Sequence, residues 1–259
     1  DAGDELGAGV YLVGGPVRDI LLGRPLLDID IAVEGDAAAL ARRLAAEGAD
    51  VVTHPEFNSA TLTGLDGSRI DITGTRAETY ACPGALPTIR PAGITDDLRR
   101  RDFTVNAMAL RLSGGERWVL IDPHKGYEQL RAGILAALHP GSFVDDPTRI
   151  LRAARFAARL CLHAEASTGR WLRAAAAEGA LGTVSRERLL TELRYLLIEA
   201  TAAEALDLLA DWGALQALGL PDARRHTATA RRLLWARRTL SVADLRALVP
   251  ATLGVLLSQ

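Results

Sequence analysis

Asp28 and Asp30 stand one residue apart in "LLDIDIAVEG" (26–35), inside an otherwise apolar run. In a strand, residues i and i+2 point to the same face, about 6.6–7 Å apart along the chain. Ile29, Ile31 and Val33 then share the other, core-facing side. Two carboxylates this close repel each other unless a cation lies between them. Oxygen-rich pairs select hard cations such as Mg²⁺, which is usually held by one or two carboxylates together with substrate phosphates. Two such ions, about 3.5–4 Å apart, can keep an attacking oxygen and a leaving phosphate in line. Taken alone, a D-x-D reads more readily as a solvated strand face, because so short a motif recurs by chance.

Two companions change the balance. Upstream lies "GGPVRD" (14–19). Gly14 and Gly15 let backbone N–H groups approach an anion closely, and Arg18 can fork onto a phosphate. The alternative is a plain strand–turn–helix connection. Downstream, Asp71 in "RIDITG" (69–74) completes a carboxylate triad if its strand pairs beside 28–33. Otherwise it is a strand-end aspartate.

The elements that must position these groups can be read from the same 259 residues. "VYLVGG" (10–15) is a strand ending in a glycine turn. "PVRDILLG" (16–23) is a helix with Pro16 at its first position and Gly23 as its stop. "DIDIAV" (28–33) alternates with period two. "DAAALARRLAAEG" (36–48) is a helix capped by Asp36 and ended by Gly48. "DVVTHP", "SATLTG" and "RIDITG" follow as strands. The Pro- and Gly-rich stretch from Glu78 to Ile94 reads as a loop, and "NAMALRL" and "RWVLID" as two further strands around "SGGE". After about Gly133 the strands stop. Helical periodicity then runs through 146–160, "TGRWLRAAAAEG", "SRERLLTELRYLLIE", "TAAEALDLLADWGALQAL" and the C-terminal segments. The expected fold class is α+β: a mixed head over residues 1–137, then an all-helical region over 138–259.

Composition is that of an ordinary globular protein, with 49% hydrophobic and 24% charged residues. No apolar run reaches the length of a membrane span. Cys82 and Cys161 are too few for a disulfide framework or a four-cysteine metal site, so two free thiols in a reducing, cytoplasmic compartment are expected. The net charge of −2 carries no global sign of nucleic-acid binding, although Lys125 is the only lysine among 30 basic residues. Arginine suits phosphate forks and base edges; a compositional bias accounts for most of them equally well. The sequence lacks a starting methionine and stops at "TLGVLLSQ", so a trimmed start and an incomplete last domain are expected.

These segments together resemble the signatures of the class II tRNA nucleotidyltransferases and bacterial poly(A) polymerases, within the polymerase-β-type nucleotidyltransferase superfamily. "GGPVRDILLGRPLLDIDIAVEG" resembles the first signature and "RRDFTVNAMA" (100–109) the second. "IDPHKGYEQLRAG" (121–133), "DDPTRILRAARFAARL" (145–160) and "SRERLLTEL" (185–193) resemble the third, fourth and fifth, in family order. The resemblance implies a nucleotidyltransferase head followed by a helical neck and body. It implies that the 3′-hydroxyl of an RNA attacks the α-phosphate of a nucleoside triphosphate, releasing pyrophosphate. Asp28 and Asp30 would hold Mg²⁺, with Asp71 at the third carboxylate position of the poly(A) polymerase branch. Gly14, Gly15 and Arg18 would hold the triphosphate, and Arg101, Asp102 and Asn106 the sugar.

Base choice has a physical basis. Cytosine and adenine both present an exocyclic amine beside a ring-nitrogen acceptor, whereas uracil and guanine present a carbonyl beside a ring N–H. A carboxylate only accepts and a guanidinium only donates. An aspartate facing the amine and an arginine facing the ring nitrogen would accept C and A, and would leave buried groups unpaired with U or G at about 1–3 kcal/mol each. The family carries E-D-x-x-R in the fourth signature. This chain has Asp145, Asp146 and Arg149 there, so Asp145 is one methylene shorter than the usual glutamate. Arg152 and Arg155 follow at near-helical spacing and join the candidate base-recognition set. The same "DDPT" is also a good helix start, with Asp146 as N-cap and Pro147 at the first position.

Three activities share these signatures: CCA addition to tRNA, partial addition, and poly(A) synthesis. The CC-only branch lacks the loop that is present here as "ETYACPGALPTIRPAGITDD" (78–97), and poly(A) polymerases typically carry "NAL" where this chain has Asn106-Ala107-Met108. The resemblance therefore favours CCA or A addition, with tRNA as partner and CTP and ATP as substrates. The basic stretch "RRHTATARRLLWARR" (224–238), with Trp235, is either an RNA-phosphate face or a solvated helix face. From another class, a catalytically inactive RNA-binding or nucleotide-sensing module stays open; intact Asp28, Asp30 and Arg149 argue against it.

Overall fold

The computed structural model describes residues 2–26, 28–46 and 48–220. The chain divides into two compact units, Asp1–Thr79 with Pro87–Ala132, and Tyr80–Leu86 with Gly133–Gln259. No helix among the described residues is long and apolar enough to cross a membrane.

The first unit is built on a seven-stranded mixed sheet. A short helix α1 (Ala2–Glu5) precedes β1 (Gly9–Val13) and α2 (Gly15–Leu21). Then come β2 (Ile29–Glu34), α3 (Ala37–Leu44), β3 (Asp50–His54), β4 (Ser59–Thr63) and β5 (Arg69–Gly74). The hairpin strands β6 (Arg76–Thr79) and β7 (Thr88–Pro91) lead to α4 (Ile94–Arg99). A 3-10 turn (Thr104–Asn106), β8 (Ala109–Arg111), β9 (Leu120–Ile121) and α5 (Gly126–Arg131) close the unit. The sheet order is β3-β4-β5-β2-β1-β8-β9. β2 runs antiparallel to β1 but parallel to β5, so the chain must cross over between β2 and β5, which α3 and the β3–β4 pair allow.

Alternation in β2 splits its side chains between two cores. Ile31 and Val33 pack with Leu40, Ala60 and Ile72 on the α3 side. Ala32 packs with Tyr11, Val13, Ile94, Leu98 and Ala109 on the α4 side. Asp36 starts α3 as expected, its Oδ1 accepting from Ala38 N at 2.8 Å and Ala39 N at 3.2 Å. Asp122, three residues before the Lys125 N-cap of α5, accepts from Gly126 N and Tyr127 N at 2.7 and 2.9 Å.

Two local expectations are corrected. The stretch 78–94 is not all loop: β6 and β7 pair with each other, and α4 begins at Ile94. Prolines are compatible with this because the two strands form a separate two-stranded ribbon, where a missing N–H breaks no ladder on the outer side. The segment joining them, Tyr80–Leu86, belongs to the second unit. Strands also continue past Gly133, since β10 (Ile134–Leu135) pairs in parallel with β11 (His163–Ala164).

The rest of the second unit is helical: α6 (Ser142–Asp145), α7 (Thr148–Leu160), α8 (Ala166–Ala177), α9 (Arg186–Leu197), α10 (Ala202–Asp211) and α11 (Ala214–Ala217). Helix α7 buries Ile150, Leu151, Ala154, Phe156 and Ala157 and packs against α9 and α10. Gly213, at φ 75°, separates α10 from α11 where one helix was expected. The basic stretch 224–238, Trp235 included, lies outside the described residues.

Candidate active site

In the first unit, parallel pairing sets Asp30 directly beside Asp71. Neighbours in register on adjacent strands point to the same face, so the two carboxylates share a side of the sheet. Asp28 lies one residue before β2, which begins at Ile29 rather than at Asp28 as the alternation suggested. It is exposed, whereas Asp30 is half-buried. Burial pushes the Asp30 carboxyl above its ordinary range, repulsion from Asp71 and Asp28 adds to this, and Arg101 and Arg69 oppose it. Asp71 is steadied by Thr61, whose hydroxyl donates to Oδ1 at 2.7 Å, and by Arg69 at 3.0 Å.

Among the described residues no three histidine, cysteine or acidic side chains close into a metal cage. The donor set nonetheless fits a hard divalent cation. Its atoms are carboxylate oxygens, they come as a pair with a third close by, and their mutual repulsion favours a positive charge between them. A cation held by one or two carboxylates and completed by phosphates needs no third protein ligand.

The glycine turn lies against the same region. Gly14 sits at φ 71°, a left-handed conformation favouring glycine. A Cβ built there would stand 2.8 Å from Arg101 Nη1. Arg18, only 2% exposed, donates from Nη1 to Asn106 Oδ1 at 2.6 Å and from Nε to Asp19 at 2.9 Å. Asn106 Nδ2 in turn donates to Asp102 Oδ1 at 3.1 Å, which also accepts from Phe103 N at 2.8 Å. Six of the residues singled out in the sequence, Gly14, Gly15, Arg18, Arg101, Asp102 and Asn106, are therefore brought into one connected cluster. The guanidinium of Arg18 is engaged by protein acceptors, so it holds the turn and the second signature together.

The second unit carries the fourth and fifth signatures. Asp146 Oδ1 accepts from Thr148 N at 3.1 Å and Thr148 Oγ1 at 2.6 Å, but α7 begins at Thr148 with Pro147 as its N-cap, one residue later than the expected start with Asp146 as cap. The same oxygen accepts from Arg188 Nη2 at 2.9 Å. Arg188 also donates to Gly84 O at 3.2 Å. Arg149, 5% exposed, donates from Nη1 to Ser142 Oγ at 2.7 Å. Asp145 faces His139, with Oδ2 3.8 Å from Nε2. Arg152 meets Glu192, Arg155 meets Glu192 and Glu199, and Arg159 meets Glu199, a ladder between α7 and the α9 region. A cavity of about 340 Å³ is lined by Asp146, Thr148, Arg152, Glu187, Arg188, Thr191 and Glu192. Of the five candidate base readers, Asp146 and Arg152 line it, while Arg155 is held in the ladder over the Phe156 ring at 4.7 Å.

Arg188 and Glu192 were not singled out by type. Their i, i+4 spacing in "RERLLTEL" puts both on one helix face, and that was the signal available for them. Thr61 and Arg69 had none, because their strand partners define them.

Comparison with known proteins agrees with these signatures. The model of the poly(A) polymerase head domain matches residues 10–136. The A-adding tRNA nucleotidyltransferase of Halalkalibacterium halodurans is 43% identical over 217 residues, covering 83% of this chain and 51% of that protein. The CC-adding tRNA nucleotidyltransferase of Deinococcus radiodurans is 42% identical over 212 residues, 81% of this chain and 56% of that protein. The apo structure of a CCA-adding enzyme superposes with a TM-score of 0.79 at 42% identity, over 84% of this chain and 51% of that one. The chain thus spans about half the length of these three relatives. On motifs, fold and identity together, it belongs to the family of tRNA nucleotidyltransferases and poly(A) polymerases.

Proposed function

We propose that this chain carries the nucleotide-joining and base-choosing parts of a template-independent RNA nucleotidyltransferase. It adds C, A or both from CTP and ATP to the 3′ end of tRNA and releases pyrophosphate. The observation that carries this reading is the in-register pair Asp30 and Asp71, with Asp28 beside it and Arg101 against the Gly14 turn. The names of the relatives, A-adding and CC-adding tRNA nucleotidyltransferases, support the substrate class.

Members of this family generally use divalent metals, and the carboxylate set here fits Mg²⁺. Bound Mg²⁺ supplies charge neutralisation at the phosphates and a lowered pKa for the attacking hydroxyl. Asp28 and Asp30 are its proposed ligands, and Asp71 orients or shares that role. Gly14 and Gly15 keep the backbone low enough for the triphosphate; Arg18, expected to bind it, is engaged by Asn106 and Asp19, so Arg101, expected at the sugar, is proposed as the cation that meets the phosphates. Asp102 and Asn106 accept and donate toward the ribose. In the second unit, Asp146 and Arg149 read the amine and ring nitrogen of the base, Arg152 flanks them, and Arg155 and Asp145 support the fourth signature.

The test uses tRNA lacking CCA, tRNA ending in C, tRNA ending in CC, and a non-tRNA oligonucleotide, each with Mg²⁺ and one labelled nucleotide at a time. Incorporation into tRNA is expected; product from CC-ended tRNA with ATP alone identifies A addition. Asp30→Asn should lower incorporation by about a thousandfold or more while the thermal transition is kept. No product from any tRNA with the wild-type protein would sink the reading.

A further inference from the structure

Asp97 lies on α4, is 1% exposed, and belongs to none of the pieces assigned so far. Its two oxygens are divided between tasks. Oδ1 accepts from Arg100 Nη2 at 2.8 Å, Arg100 Nε at 3.0 Å and Arg76 N at 3.2 Å. Oδ2 accepts from Arg101 Nη2 at 2.9 Å. Arg101 in turn rests with Nη1 against the Gly14 turn, within 2.8 Å of where a side chain there would begin. Its Nε is buried with no hydrogen-bond partner.

An arginine has five donors in a rigid plane. Pinning one terminal nitrogen to a buried carboxylate restrains that plane and keeps the Nη1 edge on the Gly14 side. Arg100, which Glu78 also holds at 3.0 Å, engages the other oxygen, so the Oδ2 contact to Arg101 is separate from it. Helix geometry makes this economical, since Arg100 and Arg101 stand three and four positions after Asp97.

We propose that Asp97 is a positioning residue: it fixes the Arg101 guanidinium against the Gly14 turn, so that Arg101 meets the phosphates of the incoming nucleoside triphosphate in one orientation. This rests on the reading of Asp30 and Gly14 as the nucleotide site. The carboxylate matters through Arg101 and not as a general support of α4.

The test is a double-mutant cycle on the full chain, with KM for ATP or CTP and kcat measured separately in tRNA extension. Asp97→Asn keeps the shape and loses the charge. It should raise the nucleotide KM about tenfold and change kcat by less than about threefold, the signature of lost ground-state binding through a charged hydrogen bond. On an Arg101→Ala background the same change should cost less than about twofold, because its target is gone. Arg100→Ala removes a partner of Asp97 without touching Arg101 and should lower the melting temperature while leaving KM within about twofold. It carries the test if Asp97→Asn does not fold: a KM raised by Arg100→Ala as much as by Arg101→Ala would overturn the assignment. So would equal losses from Asp97→Asn on both backgrounds. An inactive wild-type protein would instead fell the functional reading, and this inference with it.

Discussion

At the scale of single residues, the molecule invests buried charge around its candidate sites. Burial works to raise the Asp97 carboxyl, but Arg101 and Arg100 outweigh it and hold the group below the usual carboxylate range. A carboxyl depressed on folding binds fewer protons than its unfolded counterpart. Its stabilisation is complete above the ordinary range near pH 4 and is lost as pH falls through the folded value. Thermal melts of the wild type and Asp97→Asn should therefore differ clearly at pH 7, and the difference should narrow as pH falls below about 4. Arg188 has a second kind of duty. By donating to Asp146 it leaves that carboxylate's orientation set from outside the fourth signature. Arg188→Ala should relax the preference for ATP and CTP over UTP and GTP by about tenfold, one hydrogen bond's worth of discrimination. Single-nucleotide incorporation ratios measure it, and an unchanged ratio would remove Arg188 from base choice. Asp145 illustrates the limit of motif reading: the shorter side chain faces His139, a partner six residues away that no motif position names.

Elements were legible where one local rule decided them. Asp36 and the apolar positions Ala37, Leu40 and Ala41 specify α3 by themselves, and alternation specifies β2, β4 and β5. What composition hid was the β6–β7 ribbon, because its prolines mimic a loop while its pairing is satisfied strand to strand. The register that sets Asp30 beside Asp71 was available only as a conditional, since parallel neighbours depend on the crossover through α3 rather than on either strand's own pattern. That register has a cost in stability if its core support is removed. Ile72, next to Asp71 and fully buried, packs with Val33 and Leu40. Ile72→Ala should cost about 2–5 kcal/mol, read as a lower denaturation midpoint. Activity should fall with it under conditions where wild type stays folded. Loss of activity without loss of stability would mean that register is maintained by something other than this core.

At the scale of the whole molecule, a net charge of −2 offers no broad attraction for RNA. Among the described residues, many of the arginines that a sequence scan would offer to phosphates are occupied; the basic stretch 224–238 lies outside them. Arg18, Arg69, Arg100, Arg101, Arg152, Arg155 and Arg188 each face a carboxylate. An arginine already in an ion pair releases little when it meets a phosphate, because its charge is offset beforehand. Grip on RNA should then rest on few phosphate contacts. Binding that neutralises Z phosphates gives a log–log salt slope of about −0.7Z on single strands and −0.9Z on duplex. For this chain we expect a slope shallower than about −4 for tRNA affinity, corresponding to roughly five phosphates or fewer. Measuring tRNA Kd from 50 to 200 mM KCl with Mg²⁺ held constant decides it. A slope near −8 would show that the grip is not limited to a few contacts: either the ion pairs open, so that the arginines of α7 and α9 serve the substrate rather than their carboxylate partners, or the basic stretch 224–238 adds its own.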